Sequence, residues 1–339
     1  MIILGIETSC DETSASLVED GKIIHSNVVY SQIEIHRQYD GVVPEIASRN
    51  HLVKILDVLE EAMKGYSFDD IEAIAVTNGP GLIGSLLVGL STAKSIAFSK
   101  KKPLIPVNHV EAHMYTPHLF YDIDFPYVGL VVSGGHTLLY LVHSFDRMEL
   151  IGSTIDDAVG EAYDKVAKLL GLGYPGGPVI DRLARKGDPD RLEVFKDMPY
   201  LLPDTKKDRY NFSYSGLKTA IAYRLKKIKN LERHKEDVAA VFQKAAIDML
   251  YRKTHNAIQD FKINRLVISG GVAANSCLRK RFEELKEKDI QIFIVPAEYS
   301  SDNAAMVAGR GFIDYKLGKK GDLRTEAYSR LPLVRKGKR

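Results

Sequence analysis

Apolar positions in the first third of the chain switch between two periods. Residues 2–6, 14–18 and 22–29 read as strands, and the Asp20-Gly21 pair between the last two is a hairpin signal. Over 43–65 apolar residues recur at spacings of three and four (Leu52, Ile55, Leu56, Leu59, Met63), which predicts a helix. A buried strand at 71–77, a helix at 84–98 and a strand at 104–107 follow. Strands first, then helix and strand in alternation, define an α/β class. Residues 73–93 form 21 positions without a charge, long enough to raise a membrane span. Asn78, Pro80 and glycines 79, 81, 84 and 89 interrupt them, so the stretch reads as strand, glycine turn and buried helix, with no membrane crossing.

The pattern then restarts. Residues 127–132, 137–143 and 148–152 repeat strand, turn, strand, turn, strand at an offset of about 127 positions, the mark of a duplicated unit. Glu7-Thr8-Ser9 follows the first strand of one copy and Ser133-Gly134-Gly135 that of the other. A mostly helical insertion, 153–262, separates the second hairpins from a strand at 265–269. It opens with a predicted helix at 155–170, Thr154 as N-cap and Gly171 as stop. A strand at 291–295 and a helix at 304–316 complete the count. The expected organisation is a first lobe at 1–120 to which a helix near 303–318 returns, a second lobe at 125–302, and a basic tail at 319–339. No low-complexity linker separates the halves, so they are expected to pack around a shared cleft.

Hydrophobic residues make up 45% and charged residues 27%, the balance of a soluble globular protein. Two cysteines, Cys10 and Cys277, cannot build a disulfide framework, which fits a reducing cytoplasm. The start Met1-Ile2-Ile3-Leu4 lacks the basic region of a signal peptide. The net charge of +3 hides an asymmetry: residues 1–100 hold 7 Lys/Arg against 14 Asp/Glu (−7), and the remainder 40 against 30 (+10). Residues 206–235 alone hold 10 basic and 2 acidic side chains, and the chain ends Arg335-Lys336-Gly337-Lys338-Arg339. Such a block is either a nucleic-acid footprint or a solvated face.

The candidate chemistry centres on His109 and His113, four apart and so on one helix face, where two imidazoles can hold one cation. With ten histidines in the chain, the pair alone is weak. Nor is it the metalloprotease pattern, since Glu111 is two places after the first histidine instead of one. A third ligand is needed. Asp302 is the best placed, although an acid at a helix start can also serve as a cap. Among the glycine turns, Gly79-Pro80-Gly81-Leu82-Ile83-Gly84 has the dinucleotide form, but the region where a ribose acid would fall reads Ser99-Lys100-Lys101-Lys102. Ser133-Gly134-Gly135, Gly270-Gly271 and Gly176-Gly177 suit a phosphate or nucleoside better. Glu7, Asp11 and Glu12 gather on the first hairpin; Asp156, Asp157, Glu161 and Asp164 are placed on one helix, and Asp181 on the next. Any of these could bind ribose or act as a base. Cys10, beside two acids, is expected to hold its proton.

Six segments together resemble the tRNA threonylcarbamoyltransferase family: Leu4-Gly5-Ile6-Glu7-Thr8-Ser9-Cys10-Asp11-Glu12-Thr13, Gly41-Val42-Val43-Pro44-Glu45, Asn78-Gly79-Pro80-Gly81-Leu82, Asn108-His109-Val110-Glu111-Ala112-His113, Ser133-Gly134-Gly135-His136-Thr137 and Gly270-Gly271-Val272-Ala273-Ala274-Asn275. The resemblance implies an actin-like ATPase fold of two RNase-H-like lobes around a nucleotide cleft, with a helical insertion in the second. It implies His109, His113 and Asp302 as ligands of one divalent metal, iron first and zinc as contender. It implies Val131, Val132, Ser133, Gly134, Gly135, Asp164, Gly177, Asp181 and Asn275 as the adenylate pocket. The implied reaction moves the threonylcarbamoyl group of threonylcarbamoyl-AMP to N6 of adenosine-37 in tRNA and releases AMP; Asp11 or Glu12 would accept the amine proton. The implied partners are tRNA, an inactive paralogous subunit and a small ATPase, in the cytoplasm. A kinase or ATPase of the same fold is the main rival, weakened because magnesium prefers oxygen ligands to imidazole. A metalloprotease is the second.

Overall fold

The computed structural model describes residues 1–196 and 208–331. The described residues form two compact units, one of Met1–Ile123 with the residues from Ser301 onward, the other of Asp124–Ser300. The basic tail 335–339 and the first two lysines of the 206–235 block lie outside the described residues.

The first unit opens with β1 (Ile2–Glu7), β2 (Glu12–Glu19) and β3 (Ile23–Ser31), an antiparallel meander, followed by α1 (Ile33–Arg37) and α2 (Pro44–Ala62). Then come β4 (Ile71–Gly79), α3 (Ile83–Lys100), β5 (Leu104–Asn108) and α4 (His109–Tyr115). The sheet order is β3-β2-β1-β4-β5, with β4 and β5 parallel to β1. β1 and β4 are nearly continuous apolar runs because both their faces are covered. The charge-free stretch 73–93 resolves into β4, a turn and α3, and no described helix is long and apolar enough to cross a membrane.

The second unit repeats the plan. β6 (Tyr127–Val132), β7 (Thr137–Ser144) and β8 (Arg147–Ser153) form the meander; α5 (Val159–Leu169), α6 (Gly176–Ala184), α7 (Ser215–Leu225) and α8 (Lys235–Phe261) are inserted. β9 (Arg265–Ser269), α9 (Ser276–Glu283) and β10 (Gln291–Ile294) close the unit before α10 (Ala304–Lys316). Its order, β10-β9-β6-β7-β8, is the first unit's order strand for strand, read from the other edge. The duplication inferred from pattern is therefore real at the level of topology. This mixed five-stranded order is RNase-H-like, and the two-unit α/β class is the one expected.

Two sequence expectations need correction. The helix expected at 155–170 begins only at Val159, with Ala158 as a cap that makes no side-chain bond. Thr154 instead pairs with Phe212 as an isolated bridge and donates its hydroxyl to Asp157 O at 2.6 Å. Asp156 and Asp157 therefore precede the helix. Asp156 accepts from Tyr214 N at 2.8 Å and Ser215 N at 3.2 Å, satisfying the start of α7. Gly171 does stop the helix, in the left-handed region at φ 65°. On α2 the apolar stripe divides: Ile55 and Leu59 are buried, whereas Leu52 and Leu56 are 66% and 69% exposed.

Candidate functional site

The first unit builds a metal-shaped cluster from two helix starts. Asn108 ends β5 and caps α4, its Oδ1 accepting from Val110 N (2.9 Å) and Glu111 N (3.2 Å). α4 then presents His109 and His113, both buried, with ring centroids 4.6 Å apart. At α10 it is Asn303 that caps, accepting from Met306 N at 3.2 Å. The cap of α10 is therefore Asn303 and not Asp302. Asp302 Oδ1 lies 2.9 Å from His113 Nε2 and 3.6 Å from His109 Nε2. The three ligand atoms all fall within 4.8 Å of one another. The edge of a tetrahedron with bonds of ~2.0–2.1 Å is about 3.4 Å, so the spacing fits one first-row cation with positions left open.

Behind this cluster stands Glu7, fully buried at the end of β1. Its Oε2 is 3.3 Å from His109 Nδ1 and accepts from the Thr77 hydroxyl at 2.6 Å; its Oε1 accepts from Ser9 N. A carboxylate on Nδ1 turns the Nε2 lone pair toward Asp302, the usual outer support of a metal-bound imidazole. Burial opposes a charged His109, yet Asp302 and Glu7 outweigh it and push the imidazole up to about 9. Burial likewise opposes ionised Glu7, but the His109 contact holds its carboxyl below the usual range. An acid closing an otherwise apolar strand was the sequence signal for this role.

The loop after β1 is tied down on several sides. The Thr8 hydroxyl donates to Ser85 O (2.8 Å) and accepts from Gly89 N (3.2 Å) on α3. Buried His51 has Nε2 2.9 Å from Cys10 O and Nδ1 2.7 Å from the Thr13 hydroxyl. This fixes Asp11 and Glu12. Burial, then the charges of Asp11 and Asp302, raise Glu12 well above an ordinary carboxyl. Burial and the same acids raise the Cys10 thiol, which agrees with the inert reading.

In the second unit, Ser133-Gly134-Gly135 joins β6 to β7, and the space a Cβ would take at Gly134 or Gly135 is open. The side chains of Val131 and Val132 are core, and Gly270 packs directly on Val132 O. Asp164 accepts from Gly176 N at 2.7 Å, tying α5 to the turn that carries Gly177, another position open to a close approach. Asp181 accepts from Ser276 Oγ (2.8 Å), Arg185 Nη2 (2.7 Å) and Gln243 Nε2 (3.2 Å). Asn275 caps α9 through Leu278 N (2.9 Å) and donates to Gln243 Oε1 at 2.8 Å. Gln243 thus links Asp181 to Asn275. It escaped the sequence reading, although a lone amide among Ala240, Val241, Phe242 and Ala246 was a visible break in a buried stripe.

A family model described as tRNA N6-adenosine threonylcarbamoyltransferase matches residues 23–309. Proteins of that description are similar over nearly the whole chain. That of Brachyspira hyodysenteriae is 51% identical, covering 94% of this chain and 95% of the relative. That of Thermosipho africanus is 50% identical, covering 98% and 100%. Among solved structures, the activator of the 2-hydroxyisocaproyl-CoA dehydratase from Clostridium difficile with bound ADPNP superposes with a TM-score of 0.55 at 14% identity, over 94% of this chain and 97% of that one. HypF of T. kodakarensis gives 0.61 at 14% identity, over 94% and 48%. At that identity the likeness shows the fold alone.

Proposed function

The chain belongs to the tRNA N6-adenosine threonylcarbamoyltransferase family, and from that premise we propose which of its groups do the work. It is an enzyme of tRNA modification, and its relatives favour this reaction over a kinase, an ATPase or a protease. Our reading is that the donor is threonylcarbamoyl-AMP and the acceptor N6 of adenosine-37, with AMP released.

The observation that carries the reading is the convergence of His109, His113 and Asp302, backed by Glu7. These three residues would hold one divalent ion. Two imidazoles and one carboxylate suit iron or zinc, and iron is our first choice. Such an ion supplies Lewis-acid polarisation of a carbonyl or phosphate oxygen. The chain's own groups do the rest. Glu7 holds the His109 ring by its Nδ1 edge. Glu12 accepts from the Ser31 hydroxyl at 3.4 Å, and its raised carboxyl disfavours the charged form, so Asp11 is our choice for the acceptor of the amine proton. In the second unit the open glycines 134, 135 and 177 offer backbone N–H groups to the adenylate, and the Asp181–Gln243–Asn275 network keeps the surrounding turns in place.

The partner reading rests on the outer face of α2 and α3. Leu52, Val53, Leu56, Ile83 and Leu87 are each 48–69% exposed there, a group of apolar side chains that a partner could cover. A subunit of the same two-helix pattern, an inactive paralogue, would cover it; a small ATPase would complete the assembly. A cytoplasmic location accords with tRNA as substrate. The test is reconstitution: purified chain, metal, tRNA, threonine, bicarbonate, ATP, the adenylate-forming enzyme and the partner subunits, with nucleosides analysed after digestion. Modified adenosine is expected with the wild type and not with His113→Ala. Its absence from the complete wild-type mixture would overturn the reading.

A further inference from the structure

Glu111 stands between the two imidazoles in sequence and is not one of the proposed ligands. On an ideal helix it lies about 200° from His109 and from His113, so its side chain leaves α4 on the opposite side. There it meets Arg310, a fully buried side chain of α10: Arg310 Nη2 is 2.6 Å from Glu111 Oε2 and 2.9 Å from Asp314 Oδ1, and Nε is 3.1 Å from Asp314 Oδ2. Lys319 Nζ is 2.5 Å from the same Asp314 oxygen. Two cations and two carboxylates balance. Glu111 is one of the two carboxylates that face this guanidinium, which water does not reach.

α10 therefore holds α4 at two points. Asp302, two residues before the first residue of α10, meets the imidazole side; Arg310, further along, meets the other side. These contacts add to the packing of α4, whose Val110, Ala112, Met114 and Tyr115 are buried and whose Tyr115 ring lies against Gly309 of α10. Contacts on opposite sides fix the roll, and with it the direction of both Nε2 atoms relative to Asp302. We propose that Glu111, Arg310 and Asp314 are positioning residues that set the spacing of the metal-ligand atoms through the roll of α4. The inference rests on the reading of His109, His113 and Asp302 as ligands. It also explains why a carboxylate so near two histidines is no general base: its charge is committed to Arg310.

The test measures metal affinity in the intact chain. Zn2+ is titrated by chelator competition, well below the melting temperature, for the wild type, Glu111→Gln, Glu111→Ala and His113→Ala. Glutamine is near-isosteric and its carbonyl can still accept from Arg310, and retention of the fold is verified by circular dichroism. Outer partners of metal ligands typically govern affinity by 10–100-fold, so Glu111→Gln is expected to weaken Kd about tenfold and Glu111→Ala more. A purely structural ion cluster would lower the melting temperature and leave Kd alone. Folded Glu111→Gln binding Zn2+ within about twofold of wild type overturns the inference. His113→Ala binding as tightly as wild type would instead overturn the metal site itself, so the two failures are separable.

Discussion

The proton on His109 competes directly with the proposed metal. Its imidazole titrates near 9 in the folded chain against about 6.5 when unfolded. Stability of the metal-free protein owed to that proton is complete below about pH 6.5 and is lost as pH climbs through 9. Metal affinity runs the other way, because the ring must be neutral to bind. We expect apparent affinity to rise by up to tenfold per unit between about pH 6.5 and 9, read by chelator competition in a series of buffers; a flat profile would mean that Asp302 and Glu7 do not act on this ring. The neighbouring acids separate by the same logic. Burial and neighbouring acids disfavour the charged form of Glu12, so Glu12→Gln should retain turnover within about tenfold, whereas Asp11→Asn should lose about 10²–10⁴-fold in kcat. Equal losses would contradict the assignment. Much of this was legible in the sequence, since the i, i+4 histidines and the acids of the first hairpin are adjacent in number. Asp302 was legible as the best-placed third ligand, but whether it caps α10 instead was not, because that turns on Asn303 taking the cap. Gln243 stood out in the sequence only as a lone amide in an apolar stripe, and its link between Asp181 and Asn275 needed the structure.

Among the elements, α10 is held by contacts so close that single atoms matter. A Cβ on Gly5 in β1 would fall 2.3 Å from Ala304 O and 2.8 Å from Ala308 N, both backbone, so the first turn of α10 would have to move and carry Asp302 with it. Gly5→Ala should cost about 1–3 kcal/mol by thermal melting and weaken metal binding in whatever remains folded. Unchanged stability would mean that α10 can slide on β1. Periodicity located this helix and most others, because burial on one face repeats at a helical interval. It failed at 155–158 because a side chain satisfying a distant helix, Asp156 beneath α7, looks the same in sequence as an acid in a first turn. It also could not divide the α2 stripe into the side that meets the core, with Ile55 and Leu59, and the side with Leu52 and Leu56 that nothing among the described residues covers. Leu56→Asp on that outer face should abolish co-purification of the proposed paralogous subunit while leaving the melting temperature of the isolated chain within a few degrees. A variant that still binds would place the partner elsewhere.

At the scale of the whole molecule, the duplicated strand order was readable because each copy keeps the turn after its first strand, where the chemistry sits, even though side-chain identity between the copies has gone. Charge is the property that pattern leaves open, since a basic run serves either solubility or a polyanion. Lys226, Lys227 and Lys229 follow α7 and are exposed, with Lys227 over the Tyr223 ring at 4.7 Å. Each lysine that neutralises one phosphate releases condensed counterions and steepens the salt dependence of tRNA binding by about 0.7–0.9 in the logarithmic slope. The triple substitution to alanine should therefore weaken binding similarly for different tRNAs and flatten that slope by about two if all three touch the backbone. Because the three side chains carry no part of the proposed metal site, Zn2+ affinity should stay unchanged in the same preparation. An unaltered slope with normal tRNA affinity would assign the block to solvation and leave the tail at 335–339 to supply the contact.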